Sequence, residues 1–238
     1  MMLRAVLASI WLLLVLFSRG WLEVHMARHM LLQFPLLLLA LQLGLLLGAA
    51  AGMTDGFNGW TSETLRRQRI AAQPQAVLPV QMLDSNGQPF RLDQAIRDDG
   101  RWLLLAFVYS RCNSVCSVLG NEFQQLQLDI QRRGLQQQVR LLSISFDPAH
   151  DTPEALGHYA MHLHADPAIW QFAVPQQPTA LAALLQQFGI VVIDDGLGGY
   201  AHNAAIHLVS PKGRLVRIVD LQDYARVLAM LPLPGDKS

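Results

Sequence analysis

Polar and apolar positions change period several times along the chain, and each change marks an element. Trp102 to Tyr109 is a nearly unbroken apolar run bounded by charge, the pattern of a strand buried on both faces. From Asn113 to Arg133 the apolar residues Val115, Leu119, Phe123, Leu126 and Ile130 recur every three or four positions, which predicts a helix. Val139 to Phe146 reads as a second buried strand, and Thr152-Pro153-Glu154 opens another helix with a cap residue and a first-turn proline. A shorter strand is predicted at Ile169 to Val174. Pro178 to Phe188 is helical, with Gly189 as its stop. Ala204 to Val209 and Arg214 to Val219 flank Ser210-Pro211-Lys212-Gly213 as a terminal hairpin, and Leu221 to Met230 reads as a last helix. Ahead of all these, Val80 to Asp84 and Pro89 to Leu92 flank an Asn86-Gly87 turn, a hairpin cue.

Strands alternating with helices, closed by a hairpin and a helix, predict an α/β layered domain. The front of the chain has a different pattern. No charged residue occurs from Leu31 to Met53, and 23 helical residues at 1.5 Å rise span a hydrocarbon core of ~30 Å. This segment is expected to be a transmembrane anchor, although Gly48-Ala49-Ala50-Ala51-Gly52 also suits a cleaved signal segment. Ala5 to Phe17 is apolar but short for a span, like a signal-peptide core, and Met26 and Met30 offer later starts. The expected organisation is a leader over 1–30, a membrane segment over 31–53, a juxtamembrane tether without clear periodicity over 54–78, and one domain over 79–238.

Composition agrees with that division. The chain is 52% hydrophobic, and the excess sits in the first 53 residues. Thr54 to Ser238 holds 15 Lys plus Arg against 17 Asp plus Glu, so there is no basic footprint for nucleic acid.

Only two cysteines occur, Cys112 and Cys116, at the end of the first buried strand and the start of the following helix. A helical segment there puts the two sulfurs one turn apart on one face. That spacing serves two thiolates on one soft metal, or a disulfide after modest rearrangement. Exposed N–H groups at a helix N-terminus stabilise a thiolate, and Arg111 adds a cation beside it. A thiolate is both metal ligand and nucleophile, so the placement alone leaves both uses open. His202, ninety positions after Cys112, is a third candidate. Asp147 and Asp151 either approach the site from the second strand's end or act locally, Asp147 ending the strand and Asp151 capping the next helix.

Three blocks resemble the Sco/SenC family of membrane-anchored, thioredoxin-like, copper-binding factors for cytochrome oxidase assembly. Phe107-Val-Tyr-Ser-Arg-Cys112-Asn-Ser-Val-Cys116 is similar to the family's cysteine motif, and Ser145-Phe-Asp147-Pro-Ala-His-Asp151-Thr-Pro-Glu to its two-aspartate block. His202-Asn-Ala-Ala-Ile-His-Leu-Val-Ser-Pro-Lys-Gly213 has the spacing from the ligand histidine to the closing hairpin. The resemblance covers roughly Leu83 to Tyr224. It implies a thioredoxin-like fold with an N-terminal transmembrane helix, and copper held by Cys112, Cys116 and His202. It departs from the family pattern at Asn113 and Ser117, where prolines usually follow the cysteines, at Asn203, where serine is common, and at Ala201, where aspartate is frequent.

The function so implied is a metallochaperone that accepts copper, Cu(I) or Cu(II), and delivers it to the copper-binding subunit of cytochrome c oxidase. A copper donor protein or a thiol reductant would be its other partner, and membrane lipid would surround residues 31–53. Two rival readings stand beside it: an extracytoplasmic thiol-disulfide oxidoreductase in which Cys112 attacks and Cys116 resolves, and a binding domain without copper function. The resemblance implies a single-pass protein of a bacterial plasma membrane with its domain on the periplasmic side, since the leader is short of arginine and serine for a transit peptide. His158, His162 and His164 are expected on a solvated helix face, His150 in a loop, and His207 packed in the hairpin.

Overall fold

The computed structural model describes residues 35–52, 62–111 and 115–232, with side chains described except at 62 and 115–118. Two buried strands, β4 (Trp102–Val108) and β5 (Val139–Ser145), run parallel at the centre, Trp102 opposite Val139 and Val108 opposite Ser145. On one side β6 (Trp170–Pro175) continues the parallel run, followed by the antiparallel hairpin β2 (Gln81–Asp84) and β3 (Pro89–Arg91). On the other side β9 (Ala205–Val209) pairs antiparallel with β4, then come β10 (Arg214–Asp220) and β1 (Gln75–Ala76). The result is one eight-stranded sheet in the order β1-β10-β9-β4-β5-β6-β2-β3, with a separate two-stranded hairpin of β7 (Val192–Asp194) and β8 (Tyr200–His202).

Alternation along β4 feeds two cores. Leu103, Leu105, Phe107 and Tyr109 face one side, under α3 (Leu92–Asp99) and α6 (Pro178–Phe188). Leu104, Ala106 and Val108 face the other, under α4 (Val115–Arg132) and α5 (Pro153–His162). Both faces of a parallel centre are thus covered, which is why β4 and β5 read as unbroken apolar runs. His207 lies on the first face, fully buried, its ring 5.1 Å from that of Phe188 and 6.0 Å from that of Phe107. Its Nδ1 lies 3.2 Å from the Leu105 carbonyl and its Nε2 3.0 Å from that of Phe188, tying β9 to β4 and to the end of α6.

The strands and helices predicted over 80–219 are present, with ends shifted by a residue or two. Thr152 caps α5 by accepting from the Ala155 N–H at 3.2 Å, and Gly189 stops α6 in the left-handed region at φ 67°. At the Asn86-Gly87 turn, the Asp84 carboxylate accepts from the Asn86 and Gln88 N–H groups at 2.8 Å each. The start of the predicted helix at Asn113 falls outside the described residues, as does the leader over 1–30.

Four regions differ from expectation, the first being α3 (Leu92–Asp99), a helix that the sequence pattern did not predict. Residues 62–78, read as part of a tether, hold α2 (Ser62–Ala72) and β1. Ile70 and Val77 are buried in the first core, Arg67 pairs with Asp220 at 2.7 Å, and Gln187 of α6 binds the backbone of Ala76 and Leu78. Such a short strand and an arginine-rich helix carry almost no periodic signal, and tertiary contacts fix them. Leu221 to Met230 is not one helix but two 3₁₀ turns around a single α-turn, α7 (Tyr224–Val227). Leu231, which precedes Pro232, is extended at ψ 134°, so the segment is too short to sustain a helix. The β7–β8 hairpin was not anticipated. Its three-residue strands flank Asp195-Gly196-Leu197-Gly198-Gly199, which reads only as loop.

Helix α1 (Pro35–Gly52) is long and apolar enough to cross a membrane, by length and composition. It covers most of the predicted span, and residues 31–34 and 53 lie outside the described part.

Phe188 holds α6 against the sheet through Phe107, at 5.4 Å between ring centroids, and through His207. Phe188→Ala is expected to destabilise the domain by about 3–5 kcal/mol, read from urea unfolding of the chain in detergent by tryptophan fluorescence. A loss below about 1 kcal/mol would contradict this packing.

Candidate metal site

The parallel register of β4 and β5 delivers two chain segments to the same end of the sheet. Tyr109, Ser110 and Arg111 leave β4 there, and Phe146 and Asp147 leave β5, the Phe146 N–H donating to the Val108 carbonyl at 3.0 Å. Arg111 immediately precedes Cys112 in the sequence. Cys116 is the second residue of α4, while Cys112 lies outside the described residues.

Asp151, fully buried, joins the two segments. Its carboxylate accepts from the Ser110 N–H at 3.0 Å, from the Ser110 hydroxyl and from the Ser145 hydroxyl. It does not cap α5, the role left open for it by the sequence; Thr152 does that. Three donors on one carboxylate meet the requirement that a buried charge be hydrogen-bonded. They also fix the backbone two residues ahead of Cys112. Asp147, 2% exposed, does not simply end β5. It accepts from the Arg111 guanidinium at 3.1 Å, and the Nδ1 of His150 lies 2.9 Å from it. Arg111 therefore has a carboxylate partner.

His202 comes to this end on β8. Its ring meets Phe146 edge-on at 4.9 Å and Tyr109 at 6.2 Å, beside Tyr200, which lies 5.3 Å from Tyr109 and 5.8 Å from Phe146. Tyr109 and Tyr200 are also hydrogen-bonded, the Tyr200 N–H donating to the Tyr109 hydroxyl at 3.3 Å. The Tyr200 hydroxyl is held above its ordinary pKa by burial and by the Asp147 and Asp194 carboxylates, and it stays a donor toward Asp147.

The aromatic wall sets the protonation of His202. Burial pushes its pKa below the ordinary value, only partly opposed by the hydrogen bond to the Asn203 carbonyl. That carbonyl, 3.0 Å from Nδ1, can only accept, so Nδ1 carries the proton and Nε2 the lone pair. A neutral imidazole with a committed Nδ1–H is the form in which histidine ligates a metal.

Of the three predicted ligands, the structure thus describes His202 in full and Cys116 by its place in α4. Among the described residues no three His, Cys, Asp or Glu side chains gather as a metal-binding group. His158 and His162 are exposed on α5, as expected, while His164, also exposed, lies beyond the helix end with φ 53°. Sequence reasoning missed the aromatic wall of Tyr109, Phe146 and Tyr200, and the serines that Asp151 engages. Tyr109 and Phe146 read simply as the last apolar residues of buried strands.

A family model described as SCO1/SenC matches residues 69–230. The chain belongs to the SCO1/SenC family. A Stutzerimonas stutzeri protein, provisionally described as copper-binding, is 29% identical over 148 residues, 61% of this chain and 70% of its own length. Among solved structures, a SCO1/SenC family lipoprotein from Bacillus anthracis is 19% identical at a TM-score of 0.58, over 68% of this chain and 98% of that one. ScoI of Bradyrhizobium japonicum, solved with copper bound, is 24% identical at a TM-score of 0.53, over 66% and 98%. These likenesses show the fold: a thioredoxin-like α/β domain around a central sheet.

Two predictions follow from the geometry. Asp151→Ala leaves two hydroxyls and an N–H without their acceptor and is expected to destabilise the domain by about 3 kcal/mol in urea unfolding. An unchanged midpoint would show that the carboxylate does not hold the segment. The second concerns pH. His202 titrates below its ordinary value of about 6.5 when folded, so between the two values the unfolded chain binds more protons. The stability it confers is present above about pH 6.5 and is lost as pH falls below that. On acidification from about pH 7 to 5, the metal-free wild type should lose more stability than His202→Gln; equal losses would contradict the buried neutral imidazole.

Proposed function

We propose that this SCO1/SenC protein is a membrane-tethered copper-binding protein that takes copper on Cys112, Cys116 and His202 and delivers it during cytochrome c oxidase assembly. The observation that carries the reading is His202: a half-buried neutral imidazole with its lone pair on Nε2, at the sheet end where the Cys112 segment begins. Two thiolates and one imidazole form a soft donor set suited to Cu(I), and a further oxygen donor extends it to Cu(II). Structural zinc usually takes a fourth protein ligand, and the chain has no third cysteine to supply one.

Copper is cargo here. Binding deprotonates the two thiols, and release replaces their bonds to the metal one at a time by bonds to the acceptor's ligands, with no net oxidation or reduction of a bound cuprous ion. The residues described above serve that exchange. Asp151 fixes the backbone entering the cysteine segment, and the aromatic wall shields part of the His202 ring from water.

Helix α1 is the tether in this reading, holding the domain at the outer face of a bacterial plasma membrane. The oxidase's copper-binding subunit would be the acceptor, and a copper donor or a thiol reductant the upstream partner. Support comes from relatives: ScoI of Bradyrhizobium japonicum and of Arabidopsis thaliana, and yeast Sco1, are solved with copper bound.

A second reading, thiol-disulfide exchange by the same two cysteines, is favoured by their position at a strand-to-helix junction, where a thiolate is stabilised. One experiment separates the two. The reduced full chain in detergent is titrated with Cu(I) against a competing chelator. One equivalent should bind, and Cys112→Ser, Cys116→Ser and His202→Ala should each weaken it by roughly 100-fold or more. Poor copper binding together with reduction of a model disulfide that needs only the cysteines would instead establish the oxidoreductase.

A further inference from the structure

The Val192–His202 pair is the last backbone pair of the β7–β8 hairpin, and beyond it the chain turns off toward β9. The next step of the ladder is made by a side chain. The Asn203 Oδ1 accepts from the Val191 N–H at 2.7 Å, and its Nδ2 donates to the Gly189 carbonyl at 2.9 Å. The amide's orientation is fixed by its partners, since an N–H can meet only the oxygen and a carbonyl only the NH₂ group. Gly189 is the left-handed stop of α6, a helix whose Phe188 is anchored in the core. Asn203 is therefore clamped at two points to a rigid helix end.

Its main chain does a different task. The Asn203 carbonyl accepts from the Nδ1–H of His202, the bond that assigns the lone pair to Nε2. A continuous chain runs from the end of α6, through the Asn203 amide, to the Asn203 carbonyl and the imidazole. We propose that Asn203 is the positioning residue of the copper site, its side-chain amide locking the carbonyl that sets the tautomer and aim of His202. This rests on the reading of His202 as a copper ligand. A smaller side chain at 203 cannot span both Gly189 and Val191, so the lock is particular to asparagine at this position. Because Asn203 is exposed, removing its amide leaves groups that water can satisfy, and the fold survives.

The test has two parts, both on the full chain in detergent. In the metal-free protein labelled with ¹⁵N-histidine, and with the His202 signals assigned by their loss in His202→Gln, the ring nitrogen shifts report the tautomer. The wild type should be in the Nδ1–H form; Asn203→Ala should shift toward a mixture of tautomers, and Asn203→Asp, which keeps the acceptor for Val191, should fall between. In the second part Cu(I) affinity should fall roughly tenfold in Asn203→Ala, with an altered Cu(II) EPR spectrum, while Asn203→Asp recovers part of both. If Asn203→Ala does not fold, Asn203→Asp and Asn203→Ser are read in its place. A wild-type tautomer and a wild-type EPR spectrum in the folded variants would overturn the role of Asn203. Failure of the wild type to bind copper would instead overturn the copper reading, and the tautomer measurement would still decide the positioning.

Discussion

Parallel pairing of β4 and β5, with Val108 opposite Ser145, sets the geometry on which the site depends. Because the two strands run the same way in register, the segments leaving them, Tyr109 to Arg111 and Phe146 to Asp151, emerge together at one end of the sheet. Buried apolar side chains on both faces hold that register, and a slip by one residue would turn Phe107 and Ile144 to the wrong core. Asp151 then converts proximity into a bond. Its buried carboxylate gathers donors from Ser110 on one segment and Ser145 at the end of the other strand.

On that base the site divides into a polar half and an apolar half. Asp147, Arg111 and His150 form a charge-balanced cluster beside the cysteine segment, while Tyr109, Phe146 and Tyr200 wall the approach to His202. The division has a chemical consequence. Lost solvation keeps the imidazole neutral, and the Asn203 carbonyl decides which nitrogen carries the lone pair. Soft cuprous copper suits a neutral imidazole and two thiolates better than it suits the carboxylates nearby, and both aspartates are occupied by protein donors.

Most of the fold was legible because its central strands and helices are periodic and well punctuated. Gly189, Thr152 and the Asn86-Gly87 turn each behaved as local chemistry dictates. Legibility failed where tertiary contact replaces local pattern, as in α2 and β1, whose places are fixed by Gln187, Ile70 and Arg67, and in the three-residue strands that carry His202. For the site, residue types and family spacing identified the candidate ligands, but they could not show what supports them. Asp151 was visible as a motif position, yet its partners Ser110 and Ser145 lie 41 and 6 residues away. The pairing of Asn203 with Gly189 and Val191 has no periodic signature at all.

The central claim is that two sulfurs and one imidazole nitrogen surround a single copper ion at this end of the sheet. Copper K-edge X-ray absorption on the reduced, Cu(I)-loaded full chain tests it most directly, because it counts ligands by element. The expected shell has two sulfurs and one nitrogen, and His202→Ala should lose the imidazole scattering while keeping both sulfurs. A wild-type shell of sulfur alone, or of nitrogen and oxygen alone, would contradict it.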